Sequence, residues 1–267
     1  SNTLVATSDV KVGGSYDLTF SGNFDLESAA PRTFNIFNTA DTTFSGVISN
    51  GALTKTGTGN LILGGANTYS GATTISTGTL QLGADDALSD STAVTIDASG
   101  TLDLNDYSDA VASLAGSGAV DLGSGTLTSG DANDTAFSGV ISGTGGFTKA
   151  SSGNLTLSST NTFSGGTTLT GGTLTLGHAT DTLADTGSVS IDGGTLDLGA
   201  NADSVGAVSL SAGAITGSGT LTGSSYAFTD TGTVSVALGG SGGLTKTGTG
   251  TVTLSGANTY EGDSLLS

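Results

Sequence analysis

Two segments of this sequence are near copies of each other, and this internal repeat limits the possible folds more than any other feature. Residues 44–83 read FSGVISNGALTKTGTGNLILGGANTYSGATTISTGTLQLG, and residues 137–177 read FSGVISGTGGFTKASSGNLTLSSTNTFSGGTTLTGGTLTLG. A third copy begins near Val234 and departs from the pattern at Glu261. The long period is 94 to 97 residues. Self-similarity of this kind indicates an architecture in which one unit stacks on the next.

A shorter period lies inside the long one. Segments of the form GTLxL begin at Gly78 and Gly100, and again at Gly172 and Gly194, so each pair is 22 residues apart. Their leucines alternate with polar residues, and this period of two predicts short strands, whereas an apolar stripe with helical spacing never persists for a helix length. At about 20 residues per coil, 267 residues predict an all-β solenoid of roughly 12 coils with essentially no helix.

The repeat also suggests how the chain is organised. We predict one β-helix over residues 1–267, with atypical or capping coils at 1–43. The first long repeat would be 44–136, the second 137–233 and a truncated third 234–267.

Composition narrows the classes of partner. The formal charge is −18, and the five basic residues are too scattered to form a patch, so nucleic acid and anionic membranes are poor partners. There is no cysteine, which excludes disulfides and thiolate metal sites. The sequence contains neither an apolar run of about 20 residues nor a signal peptide, so we expect a fragment whose targeting parts lie elsewhere.

The phrase LTKTGTGNLILGGANTYSGATTISTGTLQLG, at residues 53–83, resembles the passenger-associated transport repeat of bacterial autotransporters. The resemblance covers 44–83, 137–177 and 234–260. It implies a right-handed parallel β-helix in a passenger that is secreted through a C-terminal outer-membrane barrel, absent from this sequence, and stays at the surface of Gram-negative bacteria. Passengers of this type often support aggregation, adhesion or biofilm formation, and the repeat is linked to secretion and folding.

The same position of each repeat holds a lysine: Lys55, Lys149 and Lys246. One interpretation is a ladder that binds a receptor. The other is a structural role in the turn that follows, and we favour it because the lysines are four or five coils apart, roughly 20 Å.

Candidate catalytic groups are few. His178 is the only histidine, which leaves at most one imidazole for a metal site or a Ser-His relay, so we expect a solvated loop residue. Residues 262–265 read GDSL, the nucleophile motif of an esterase family, but the partner residues of that motif would have to follow far downstream. Gly-x-Gly pairs such as Gly57 and Gly59 lack the rest of a phosphate-binding motif. We therefore predict no enzyme, no catalytic residue and no cofactor.

Acidic residues recur in the predicted loops. The groups are Asp85 and Asp86 with Asp90, Asp103 with Asp106 and Asp109, Asp131 with Asp134, and Asp181 with Asp185. Calcium needs six to eight converging oxygens, and the spacing matches neither a β-roll nor an EF-hand pattern. We expect solvated loops and no metal site, with weak calcium binding as the alternative.

Three functions remain open. The first is a surface adhesin that contacts neighbouring passengers or a host or matrix surface through many weak contacts. The second is an ice- or glycan-binding module built from the Thr-x-Thr pairs Thr77/Thr79, Thr126/Thr128, Thr173/Thr175, Thr220/Thr222 and Thr251/Thr253. The third is a mechanical stalk. No contact residue can be named for any of them, and the expected location is the bacterial cell surface.

Overall fold

A computed structural model describes residues 3–27 and 30–267. Throughout these residues every regular element is a β-strand, and the strand pairs are parallel. This confirms the predicted all-β fold without helix, and the described residues contain no helix that could cross a membrane. The chain divides into two compact units, which we call unit one (Ser1–Ser129 with Ser138–Ser142) and unit two (Gly130–Phe137 with Gly143–Ser267).

The strands are short because turn residues interrupt them every few positions. Up to Ser129 they are β1 (Thr3–Val5), β2 (Val10–Val12), β3 (Leu18–Phe20), β4 (Asn23–Asp25), β5 (Arg32–Ile36), β6 (Thr42–Phe44), β7 (Ile48–Ser49), β8 (Leu53–Thr56), β9 (Asn60–Leu63), β10 (Thr73–Leu82), β11 (Ala93–Asp103), β12 (Asp109–Val111), β13 (Ser113–Gly116), β14 (Ala119–Asp121) and β15 (Thr126–Ser129).

The remaining strands follow the same pattern. They are β16 (Thr135–Phe137), β17 (Ile141–Ser142), β18 (Gly146–Lys149), β19 (Asn154–Leu157), β20 (Thr167–Leu169), β21 (Thr173–Leu176), β22 (Val189–Asp197), β23 (Ala202–Thr216), β24 (Thr220–Val234), β25 (Ala237–Gly239), β26 (Leu244–Lys246), β27 (Val252–Leu254) and β28 (Ser264–Leu266). Of these, β17 belongs to unit one and the others to unit two.

Unit one is a parallel β-solenoid in which each strand pairs with its equivalent in the next coil. One column of paired strands is β2, β5, β8, β10, β11 and β13, and a second runs through β6, β9, β10, β11, β14 and β17. The spacing between partners ranges from 18 residues (Asp109 and Leu127) to 24 (Val10 and Phe34), which confirms the predicted coil length.

Unit two is a second parallel β-solenoid. One column joins β16, β19, β21, β22, β23, β24 and β27, and another joins β18, β20, β22, β23, β24, β26 and β28. With the six coils of the first column of unit one and the seven here, the predicted number of about 12 coils is confirmed. The handedness of the winding and the boundaries of the long repeats stay predictions.

The core of each unit is a stack of aliphatic side chains. Equivalent places in successive coils are occupied by Leu61, Leu80 and Leu102, which are completely buried. The residues on either side of each leucine along its strand face outward. Because parallel pairing places equivalent residues about 4.8 Å apart, alternation in the sequence becomes inner and outer columns in the structure. In β10 the pairing partner changes from β8 to β9 around Gly78, whose φ of +72° lets the strand turn a corner.

Candidate functional site

Lys55 lies inside the solenoid of unit one, in a ladder whose neighbouring members are Phe34 and Ile75. Its side chain is fully buried. The ammonium donates hydrogen bonds to the carbonyl oxygens of Thr56 at 3.1 Å, Gly57 at 2.8 Å and Thr77 at 3.0 Å. Thr77 belongs to the following coil, so the lysine joins two coils through their backbone carbonyl groups.

Lys149 repeats this arrangement in unit two. It is 2% exposed and donates to the carbonyl oxygens of Ala150, Ser151 and Gly171, the last again 22 residues further along the chain. A Cβ at Gly172, in the acceptor coil of this lysine, would come within 2.3 Å of the Gly153 carbonyl oxygen, and the residue has a φ of +64°; both explain the glycine there. Burial lowers the pKa of Lys149, opposed by the charges of Asp131 and Asp134.

Lys246 donates to the carbonyl oxygens of Thr247 and Gly248 and is only partly buried. The lysines thus have the structural turn role favoured from the sequence. A receptor-binding ladder would need accessible ammonium groups, and those of Lys55 and Lys149 are enclosed.

An asparagine in each copy of the N-T-Y/F segment also joins coils. Asn67 accepts a hydrogen bond from the Ile48 N–H at 2.6 Å and donates to the Ala87 carbonyl at 2.5 Å. Asn161 donates to the Thr182 carbonyl at 2.7 Å, and Asn258 accepts from the Leu238 N–H at 2.9 Å. The side-chain amide replaces a backbone pairing at this point, a role that the sequence pattern did not indicate.

Three aspartates from two coils meet in unit one beside a surface cleft, which two of them, Asp86 and Asp90, line. One carboxylate oxygen each from Asp86, Asp90 and Asp109 lie within 4.8 Å of one another. Asp86 and Asp90 are exposed, whereas Asp109 is 4% exposed at the start of β12. Its Oδ2 accepts the Leu88 N–H at 2.8 Å, but its Oδ1 is buried without a hydrogen-bond partner. Burial, with the neighbouring charges of Asp86 and Asp90, raises the pKa of Asp109 to about 7.

Unit two contains a related cleft, lined by residues 160–162 and by Asp181, Leu183, Ala184 and Asp185. Asp203 is 3% exposed, its Oδ2 accepts the Leu183 N–H at 3.1 Å, and its Oδ1 is again buried without a partner. Burial, together with the charge of Asp181, raises the pKa of Asp203 to about 7. The first aspartate of each cleft has the same left-handed backbone, with φ of +53° at Asp86 and +55° at Asp181.

The prediction of solvated acidic loops is therefore wrong for Asp109. It is the first residue of β12, where side chains alternate between the inside and the outside of the solenoid, and its side chain faces inward. Asp203 was not singled out. A sequence pattern could have identified Asp109 and Asp203: each lies 18 or 19 residues after the last aspartate of a D-x-L-x-D segment. One coil spans that distance, so the two aspartates are expected to be neighbours in successive coils. Asp103 is the last residue of β11, and the other predicted aspartates lie in turns and loops, where Asp131, for example, accepts the N–H of Asn133.

The other residues singled out from the sequence lie at separate places along the chain. His178 is partly exposed, and its Nδ1 contacts the Thr180 carbonyl. Ser264 of the GDSL segment lies on β28, where its hydroxyl hydrogen bonds to the Tyr260 hydroxyl at 2.8 Å. Gly57 has a φ of +76° in the turn beneath Lys55.

The outward residues form polar ladders. In unit one, side-chain hydrogen bonds connect Asp41, Asn60, Gln81 and Asp103 in successive coils. A second ladder, which we call the threonine ladder, consists of Thr33, Thr54, Thr74 and Thr95.

The Thr-x-Thr pairs do not form one array. In unit two, Thr173 and Thr175 pair with Thr195 and Asp197. Thr220 and Thr222 lie in another column, between Ala202/Ser204 and Ala237/Gly239. The flat surface that an ice-binding module requires is therefore interrupted.

Comparison with known proteins identifies the repeated segments. Residues 53–82, 147–176 and 244–267 match the family described as Passenger-associated-transport-repeat. The chain carries passenger-associated transport repeats. A curated relative, Adhesin BmaC autotransporter of Brucella suis biovar 1 (strain 1330), is 41% identical over 97 residues. That alignment covers 36% of this chain and 3% of the adhesin, so the chain spans a small part of its relative. The resemblance to an autotransporter passenger is confirmed.

The segments that match the transport repeat contain the lysine and asparagine positions but not the aspartate cluster. Lys55 and Asn67 lie inside the first matched segment, and their counterparts lie in the second and third. The buried lysine turn is thus a structural feature of the repeat in this chain. Asp86, Asp90 and Asp109 lie outside the matched residues.

Proposed function

We propose that this chain is a structural and adhesive segment of a surface-exposed autotransporter passenger, and that its outward ladders contact neighbouring passengers or a host or matrix surface. The observation that carries the proposal is the similarity to an autotransporter adhesin together with three transport repeats. The expected location is outside the bacterial cell.

The ladders support this proposal because stacking presents the same polar groups at regular intervals. The hydrogen bonds that join Asn60 to Gln81 and Gln81 to Asp103 hold these side chains in place before any partner binds. Contacts that are weak individually add up when many are made together, and ordering the groups in advance lowers the entropy cost of binding.

The charge of −18 makes the nature of the partner testable. Two copies of such a chain repel each other at low ionic strength, whereas a cationic partner is attracted. Clumping by self-association should therefore increase as salt rises from about 10 to 150 mM, and attachment to a cationic surface should decrease.

The test is to display the full passenger on bacterial cells and compare it with a passenger that lacks residues 44–260, at equal surface amounts. We expect settling or surface attachment to be lost with the deletion. A second variant, T54K/T74K, changes the threonine ladder while the adjacent inward residues are kept. T126K/T128K, which adds the same two charges at outward positions of β15 outside that ladder, serves as its control. Unchanged adhesion after the deletion would contradict the proposal and leave a mechanical or secretion role.

A further inference from the structure

The buried carboxyl group of Asp109 has one oxygen without a hydrogen-bond partner. Its Oδ1 is buried without a hydrogen-bond donor, although a buried carboxylate normally has each oxygen satisfied. The nearest charged groups are Asp86 and Asp90, which carry the same sign and raise the cost of ionising it. No lysine, arginine or histidine forms a salt bridge with any of the three in the part of the chain that the structure describes. A bound cation would stabilise the ionised form of all three carboxylates.

From this geometry we propose that Asp86, Asp90 and Asp109 bind a divalent cation, and that the cation is Ca²⁺. The carboxylate of Asp109, which is buried and whose Oδ1 has no hydrogen-bond partner, supplies the inner ligand, and the two exposed carboxylates supply the outer ones.

The ligand chemistry favours calcium. All three donors are carboxylate oxygens, which suit Ca²⁺ and Mg²⁺ better than zinc or copper. Ca²⁺ accepts six to eight oxygens in a flexible arrangement, which suits carboxylates that come from two different coils. Mg²⁺ requires a nearly octahedral arrangement at about 2.1 Å and gives up its water ligands reluctantly.

Neutral oxygens are available beside the carboxylates. The hydroxyls of Ser89 and Ser91, 2.9 Å apart, line the same cleft. Its open side allows water to complete the six to eight ligands of calcium. With three carboxylates on a partly exposed site, the affinity should fall in the range of extracellular calcium modules, about 0.1 to 1 mM.

The second cleft shares part of this arrangement. Unit two repeats the D-x-L-x-D segment, the left-handed first aspartate and a buried aspartate with an unpartnered Oδ1. Among the described residues, however, only Asp86, Asp90 and Asp109 bring three acidic ligand atoms together within 4.8 Å. The proposal therefore concerns unit one.

The test is local hydrogen–deuterium exchange of residues 84–92 in the whole chain, measured in about 10 mM CaCl₂ and in EDTA with NaCl at equal ionic strength. For a dissociation constant near 1 mM, calcium should slow exchange there about tenfold, because a ligand that binds only the closed state lowers its opening by 1 + [Ca²⁺]/Kd. MgCl₂ at the same concentration should slow it less.

Three variants connect the effect to the site. D109N and D86N should lose the calcium protection, and D97N, which removes the same charge at an exposed position of the same unit, should keep it. If D109N does not fold, D86N and D90N still give the answer because both residues are exposed. Equal exchange in calcium and in sodium, or equal loss of protection in D97N, would overturn the proposal.

Discussion

The segment LTKTGTG occurs twice, at residues 53–59 and 244–250, and its lysine has two different environments. The turns have the same backbone, with φ of +76° at Gly57 and +72° at Gly248. Lys55 is completely buried and has a third acceptor, Thr77, in the following coil, whereas Lys246 is partly exposed and has two acceptors. Local sequence therefore sets the turn, and the coil that stacks on it determines the burial.

The largest effect expected from this difference is on stability. Lys55→Met should lower the free energy of unfolding by about 3 kcal/mol, since the Thr56 and Thr77 carbonyl oxygens lose the lysine donor and the Gly57 carbonyl oxygen keeps only the hydrogen bond from the Thr77 hydroxyl at 3.3 Å. Lys246→Met should lower it by about 1 kcal/mol, because water can replace the ammonium there. Urea denaturation of both variants measures the two changes in the free energy of unfolding. Equal losses would show that stacking does not control the contribution of the lysine.

A second contrast between buried and exposed side chains concerns pH. Burial raises the pKa of Asp203 to about 7 in the folded chain, above its usual value of 3.8, so the folded state holds the proton more tightly than the unfolded state. Stability should therefore fall as the pH rises from about 4 to about 7 in EDTA, by about 2 kcal/mol from this residue.

Asp203→Asn should remove that decrease, and Asp185→Asn, at an exposed position of the same cleft, should leave it in place. The measurement is thermal unfolding in EDTA at several pH values. The same slope in Asp203→Asn as in the unchanged chain would contradict the burial of this carboxyl.

A smaller effect should distinguish the turns of the first and second repeats. Ser151 occupies the position of Gly57 and has a φ of +56°, a conformation that costs a residue with a side chain about 1 kcal/mol or more. Ser151→Gly should thus stabilise the chain by about 1 kcal/mol, whereas Gly57→Ser should destabilise it by at least that much, because a Cβ there would approach the Ile36 carbonyl. Urea midpoints of the two variants give the test, and a shift of the same sign in both would contradict it.

The sequence predicted the fold well because the fold depends on periodicity. Alternating leucines and the coil-length period are both visible along the chain, and stacking turns them directly into columns such as Leu61, Leu80 and Leu102. The candidate site was harder to predict. Asp109 meets Asp86 and Asp90 from the next coil, so its role depends on a register between residues about 20 positions apart, and its surroundings in the sequence are those of an ordinary polar loop.

The central structural claim is that equivalent positions of successive coils lie directly above one another, and engineered disulfides test it most directly. The chain has no cysteine, so two introduced thiols can pair only with each other within the molecule. Thr74 and Thr95 are register partners on β10 and β11, and parallel partners lie within the Cα separation that a disulfide tolerates. T74C/T95C should form an intramolecular disulfide on mild oxidation, and T74C/T101C, which is out of register, should not. Cross-linking of the second pair without the first would contradict the stacked-coil account.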